Sequence, residues 1–119
     1  MTEPAGRLSE EQLQLMFRHM PIGLSVADED DVVRLWAGAG FEVCNPKLIG
    51  RDLRACHPKR AQATLEALLA DLKSGAKDEV DTVERGDHGS ERIVYTALRD
   101  ADGTYRGVLE TVVPLTDEE

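Results

Sequence analysis

Apolar positions along the chain fall into a few short periodic runs separated by polar turns. Residues 1–8 carry no such pattern and are read as a disordered start. Over 9–20, Leu13, Met16, Phe17 and Met20 recur at helical spacing behind "SEEQ", the Ser-x-x-Gln form of a capping box. Pro21 ends that amphipathic helix. "IGLSVAD" (22–28) and "VVRLWAG" (32–38) flank the acidic turn "DEDD" and predict a hairpin. Residues 41–57 are irregular, punctuated by Pro46 and Gly50, with short helical turns expected. Pro58 suits the first position of a helix, and Ala61, Leu65, Leu68, Leu69 and Leu72 then share one face up to a stop at Gly75. Three strands follow: "DEVDTVER" (78–85), "ERIVYTALR" (91–99) and "TYRGVLETVVPL" (104–115), the last two joined by the turn "DADG". In the last strand Tyr105, Gly107, Leu109, Thr111 and Val113 are read on one face, with Arg106 and Glu110 on the other. Gly107, in mid-strand, predicts close approach by backbone or ligand.

Helix, two strands, helical middle and three strands make an α+β chain. An antiparallel five-stranded sheet with its central helices on one face accounts for every segment. The N-terminal helix is read either as folded back on its own domain or as a dimer contact.

Charge narrows the partners. The balance is −9, with 23 acidic against 14 basic residues, and basic spots such as Lys59–Arg60 form no stripe. That argues against nucleic acid and anionic membrane surfaces as partners. No apolar run is long enough to cross a bilayer, and the N-terminus lacks the order of a signal peptide, so a cytoplasmic location is expected. Cys44 and Cys56 lie in no C-x-x-C pair and are read as reduced, semi-buried thiols. "AGAGF" lacks the order of a phosphate loop, and no nucleophile elbow, H-E-x-x-H or kinase motif occurs. The chain is read as a non-enzyme, with a haem-based activity as the alternative left open.

"RDLRACHPKRAQ" (51–62) concentrates the candidate chemistry. Pro58 biases His57 to an extended backbone and fixes its imidazole near a helix start, where partial positive charge disfavours imidazolium. A neutral imidazole can ligate a metal, and haem iron takes a single protein histidine. His57 is therefore the candidate axial ligand, with Cys56 the rival. Against this stands the plain reading of His57 as a cap bonded to a nearby carbonyl. Leu53, Leu65, Leu68, Ile93 and Leu109 would wall a cofactor, while Trp36, Phe41, Tyr95 and Thr111 could meet the ring or polar groups of a generic ligand. Each of these also reads as plain core. His19 and His88 are expected to face solvent.

Three stretches together resemble the PAS domain: "MPIGLSVADEDDVVRLW", "LIGRDLRACHPKRAQATLEALLADLKSGAKD" and "IVYTALRDADGTYRGVLETVV". The middle one, with its Cys-His-Pro before the long helix, is similar to PAS modules often found with hemerythrin-like domains in bacterial and archaeal proteins. The resemblance spans about residues 10–116. It implies a PAS-like domain over 21–116, between the helix 9–20 and an acidic tail 117–119. It further implies a cupped sheet closed by helices over a small cavity, with Ile93, Tyr95 and Ala97 facing inward. The functions it implies are sensing of a small molecule, or of a diatomic gas or redox state through haem b on His57, with a homodimer and a separate output protein as partners. An unliganded dimerisation module is the alternative.

Overall fold

The computed structural model describes residues 3–38, 46–86 and 89–115. The elements run α1 (Glu10–His19), β1 (Gly23–Asp28), β2 (Val33–Ala37), three 3-10 turns at Pro46–Leu48, Leu53–Cys56 and Lys59–Ala61, α2 (Gln62–Ser74), β3 (Glu79–Gly86), β4 (Gly89–Arg99) and β5 (Tyr105–Leu115). The five strands form one sheet in the order β2-β1-β5-β4-β3. Every pairing is antiparallel.

Local chemistry explains the boundaries. In α1 the Ser9 hydroxyl accepts from the Gln12 N–H while the Gln12 side chain accepts from the Ser9 N–H, completing the capping box. The β1–β2 turn is held by the Asp28 carboxylate, which accepts from the amides of Asp30 and Val32 and pairs with Arg34. Gly75 ends α2 in the left-handed conformation, φ 85°, its N–H bonded to the Leu72 carbonyl. The long helix starts later than Pro58 at a first helical position would give. Pro58 stands outside, with ψ 152°, and caps the 3-10 turn Lys59–Ala61 that runs straight into α2. A residue followed by proline is held extended, and Pro58 continues that geometry for one residue more.

Leu65, Leu68, Leu69 and Leu72 of α2 pack with Leu53 and Cys56 against Ala27, Val33, Ile93, Tyr95, Val108 and Val112 of the sheet. The register fixes which residues share that covered face. Trp36, Ser25, Glu110, Tyr95 and Val80 form one row across all five strands. The neighbouring row, Leu35, Val26, Leu109, Thr96 and Glu79, points the opposite way because side chains alternate along a strand. The expected phase of β5 is therefore corrected: Leu109 and Thr111 lie on the far face, and Val108, Glu110 and Val112 on the covered one. The run Val108, Leu109, Val112, Val113 is apolar in both phases, so the charged Arg106 and Glu110 favoured the wrong one, Arg106 lying at the bulge where the register shifts.

Gly107 is held by backbone. A Cβ there would stand 2.2 Å from the Ala27 carbonyl oxygen, and φ is 150°. This close approach seats β5 against the end of β1, where Gly107 pairs with Asp28.

Candidate functional site

His57 closes the 3-10 turn Leu53–Cys56, with φ −123° and ψ 140°, and its ring turns inward under the sheet. Its Nδ1 is 3.1 Å from the Leu53 carbonyl oxygen and its Nε2 is 3.1 Å from the Tyr95 hydroxyl. The Glu110 carboxylate lies 3.6 Å from Nε2, and the two side chains are only 13% and 12% exposed. The Tyr95 hydroxyl is also within hydrogen-bonding reach of the Glu110 carboxylate. Three polar groups from the 3-10 turn, β4 and β5 thus meet inside an otherwise apolar layer.

The donor count fixes their states. A carbonyl only accepts, so Nδ1 carries a proton. Burial, opposed by the Leu53 bond and by the Glu84 carboxylate, holds the His57 pKa below its usual value. In the neutral ring Nε2 is then an acceptor, and the Tyr95 O–H donates to it. When the ring is protonated, Nε2–H donates to the Tyr95 oxygen, and the hydroxyl turns to the Glu110 carboxylate. The hydroxyl is therefore a two-position switch. Burial, with the Glu110 and Glu84 carboxylates, raises the Tyr95 pKa, so the phenol keeps its proton throughout.

Two spaces adjoin this group. An enclosed cavity of about 10 Å³ is bounded by Ser25, Ala27, Val33, Leu53, Cys56 and Val108 as well as by the three polar residues. That is room for about one water. On the other side an open cleft of about 380 Å³ runs between α2 and strands β3 and β4, lined by Arg60, Ala61, Thr64, Leu65, Leu68, Thr82, Val83 and Glu84, with His57 and Tyr95 bordering it too. Ligand sites occupy roughly 300–1,000 Å³, so only the cleft has that size.

The sequence-derived candidates divide accordingly. Leu53 and Cys56 wall the enclosed cavity, Leu65 and Leu68 the cleft, and Tyr95 both. Ile93 is core on the covered face. Trp36 packs at the margin of the core and lines a separate groove with Gln14, Phe17 and Arg18 of α1. Leu109 and Thr111 are on the far face, away from His57. Phe41 lies outside the described residues, as do Cys44 and His88. His19 is exposed, bonded through Nδ1 to the Leu15 carbonyl. Sequence reasoning missed Glu110 and Ser25. The signal for them was the even-phase valines Val108 and Val112, which put Glu110 between two buried positions.

The site does not fit haem as arranged here. The Nδ1–H bond to a carbonyl would orient a ligating histidine well. Nε2, however, faces Tyr95 and Glu110 at the distances above, and the space beyond it holds about one water rather than a porphyrin. Among the described residues no three His, Cys, Asp or Glu side chains are placed to share a metal ion. None of their helices is long and apolar enough to cross a membrane.

The fold has many solved counterparts. The C-terminal domain of a Streptococcus mutans protein superposes with a TM-score of 0.79 at 26% identity, covering 94% of this chain and 90% of that one. A sensory box sensor histidine kinase from Vibrio cholerae gives 0.61 at 12%, covering 89% and 90%. The Vibrio cholerae VqmA dimer, a LuxR-type receptor described with respect to its target DNA, gives 0.68 at 18%, covering 94% of this chain and 53% of that one. A comparison with curated proteins finds no match. The family model described as "PAS domain" matches residues 13–116, and with the β2-β1-β5-β4-β3 sheet closed by α2 on one face, the chain belongs to the PAS domain family.

Proposed function

We propose that the protein is a sensory PAS module that admits a small molecule to the cleft between α2 and β3–β4 and reports it through His57, Tyr95 and Glu110. The observation that carries this reading is that His57 and Tyr95 border both the open cleft and the enclosed cavity. A ligand bonding either group from the cleft side competes for the Tyr95 hydroxyl and changes whether it donates to His57 or to Glu110. Glu110 pairs in register with Ser25 of β1, the strand that follows α1. The path from cleft to N-terminal helix is thus two hydrogen-bonded strands long. The sensor histidine kinase among the structural counterparts supports a signalling role of this kind.

The test is an amide NMR screen of a small-molecule library. Hits should shift signals of Thr64, Thr82 and Tyr95, and Thr64→Trp, which fills the cleft, should abolish them. A library whose hits never reach those residues sinks the reading. On the same reading, added haem gives no Soret band that depends on His57.

A second role rests on α1. Leu13, Leu15 and Met16 are exposed at 39%, 45% and 43%, and no residue of the helix is buried. Pairing of α1 with a second copy in a homodimer would cover them and join two sensing domains to an output partner.

A further inference from the structure

We infer that the cleft recognises a small zwitterion of the α-amino-acid class with an aliphatic body, held by its carboxylate at Arg60 and by its ammonium at Glu84. This rests on the sensing role of the cleft and adds the chemistry of its ligand.

The two walls carry opposite charges. Arg60 comes from the 3-10 turn leading into α2, and Glu84 from β3 across the gap. Neither makes an ion pair, with the other or with any third group, among the described residues. Arg34, Arg54, Lys73, Lys77, Arg92, Arg99 and Arg106, by contrast, sit beside carboxylates. Glu84 acts on the inner end of the cleft, since its charge bears on both His57 and Tyr95. The polar groups between are suited to the same ligand. Thr82 donates its hydroxyl proton to the Ile93 carbonyl, which leaves its oxygen to accept from an ammonium on the β3 wall. Thr64 offers a hydroxyl donor on the α2 wall beside Arg60, whose guanidinium can take a carboxylate in two parallel bonds. Leu65 and Leu68 give the cleft an apolar side for an aliphatic chain. His57 is held neutral and Tyr95 protonated, so neither ring competes for the ligand's charged groups. A singly charged or neutral molecule of the same shape would satisfy one wall or none.

The experiment titrates the full chain by amide NMR with L-leucine, L-leucinamide (no carboxylate), N-acetyl-L-leucine (no ammonium) and N-acetyl-L-leucinamide (neither). Leucine should bind about tenfold more tightly than either singly charged analogue, as expected for losing one charge-assisted bond. Arg60→Gln should weaken leucine and N-acetyl-leucine while leaving leucinamide unchanged. Glu84→Gln should weaken leucine and leucinamide and spare N-acetyl-leucine. Both positions are exposed, so each variant should keep the parent melting temperature. The doubly blocked analogue binding as well as leucine overturns the inference, as does a loss in either variant that ignores which charge the ligand carries. If leucine and its analogues leave Thr64, Thr82 and Tyr95 unshifted while other library compounds shift them, the zwitterion is wrong and the sensing cleft stands. Failure of every compound to shift them removes both.

Discussion

Because the Leu53 carbonyl can only accept, one proton on His57 never leaves Nδ1, and all its acid–base behaviour is expressed at Nε2 against Tyr95 and Glu110. Its pKa is lowered in the fold by burial, so between the ordinary imidazole value and the folded one the unfolded chain binds more protons. Stability from this group is complete above about pH 6.5 and is lost as the pH falls toward the folded-state pKa. The charged and titratable groups facing the ring are Glu84 from β3, Tyr95 from β4 and Glu110 from β5. The depressed carboxylates Asp28, Glu66 and Asp81 act only at lower pH. The urea midpoint should therefore drop between pH 7.5 and 5.5, and the drop should shrink in His57→Gln; an unchanged slope in that variant would contradict the assignment. Removing the switch itself, Tyr95→Phe, leaves two buried polar groups short of a partner and should cost about 1–3 kcal/mol. It also makes the Glu110 carboxylate the nearest partner of Nε2, so the His57 titration followed by NMR should move upward. A titration that stays put would mean that the hydroxyl does not mediate between them.

At the scale of the element, β5 shows how a strand can be recognised and still be read on the wrong face. Its bounds and its partner β4 follow from the turn "DADG", where the Asp100 carboxylate accepts from the amides of Asp102 and Thr104. Its phase does not, because two apolar sets compete and the charged Glu110 belongs to the buried one. Gly107 is where the strand meets β1 most closely. Gly107→Ala drives a methyl into the Ala27 carbonyl and should cost about 2–3 kcal/mol in the denaturant midpoint. Gly103 is the control: it also has positive φ, 82°, but open space beyond, so Gly103→Ala should cost only about 1 kcal/mol. Equal losses at the two positions would show that backbone conformation alone, not the close approach to Ala27, sets the requirement.

Across the whole molecule, Asp31 ties together parts of the chain that are distant in sequence. It sits in the β1–β2 turn at φ 65°, and is buried to 6% exposure. Its Oδ2 accepts from Arg54, one residue past the start of the 3-10 turn bearing His57, and from Lys73 in the last turn of α2. Its backbone carbonyl accepts from Leu53. This clasp fixes the turn that carries His57 against the far end of the helix that forms the cleft wall. Asp31→Asn keeps the shape but loses the charge that both cations meet, and should lower stability by about 1–3 kcal/mol with a global loss of amide protection. Loss confined to the β1–β2 turn would show that the clasp is local. On the proposed reading, α1 serves assembly rather than this frame. Leu13→Glu with Met16→Glu should change stability by no more than about 0.5 kcal/mol, yet abolish the proposed dimer as read by sedimentation in analytical ultracentrifugation at raised concentration. Dimers that survive would move the interface elsewhere.

The sequence by itself determined the order and type of the elements, since capping pairs, leucine spacing and turn residues are local and act before any long-range contact forms. It also singled out His57, because a proline after a histidine constrains the backbone wherever the chain folds. What only the tertiary structure decided was the company His57 keeps. Tyr95 and Glu110 lie on two strands whose register is a long-range property, and a one-residue change of phase would have put Glu110 in water and Leu109 in its place. The size of the enclosed space was likewise invisible, because it depends on how closely α2 and the 3-10 turns settle onto the sheet. The placing of Arg60 and Glu84 on the walls of one cleft follows from that same docking, which joins residues that no sequence pattern connects.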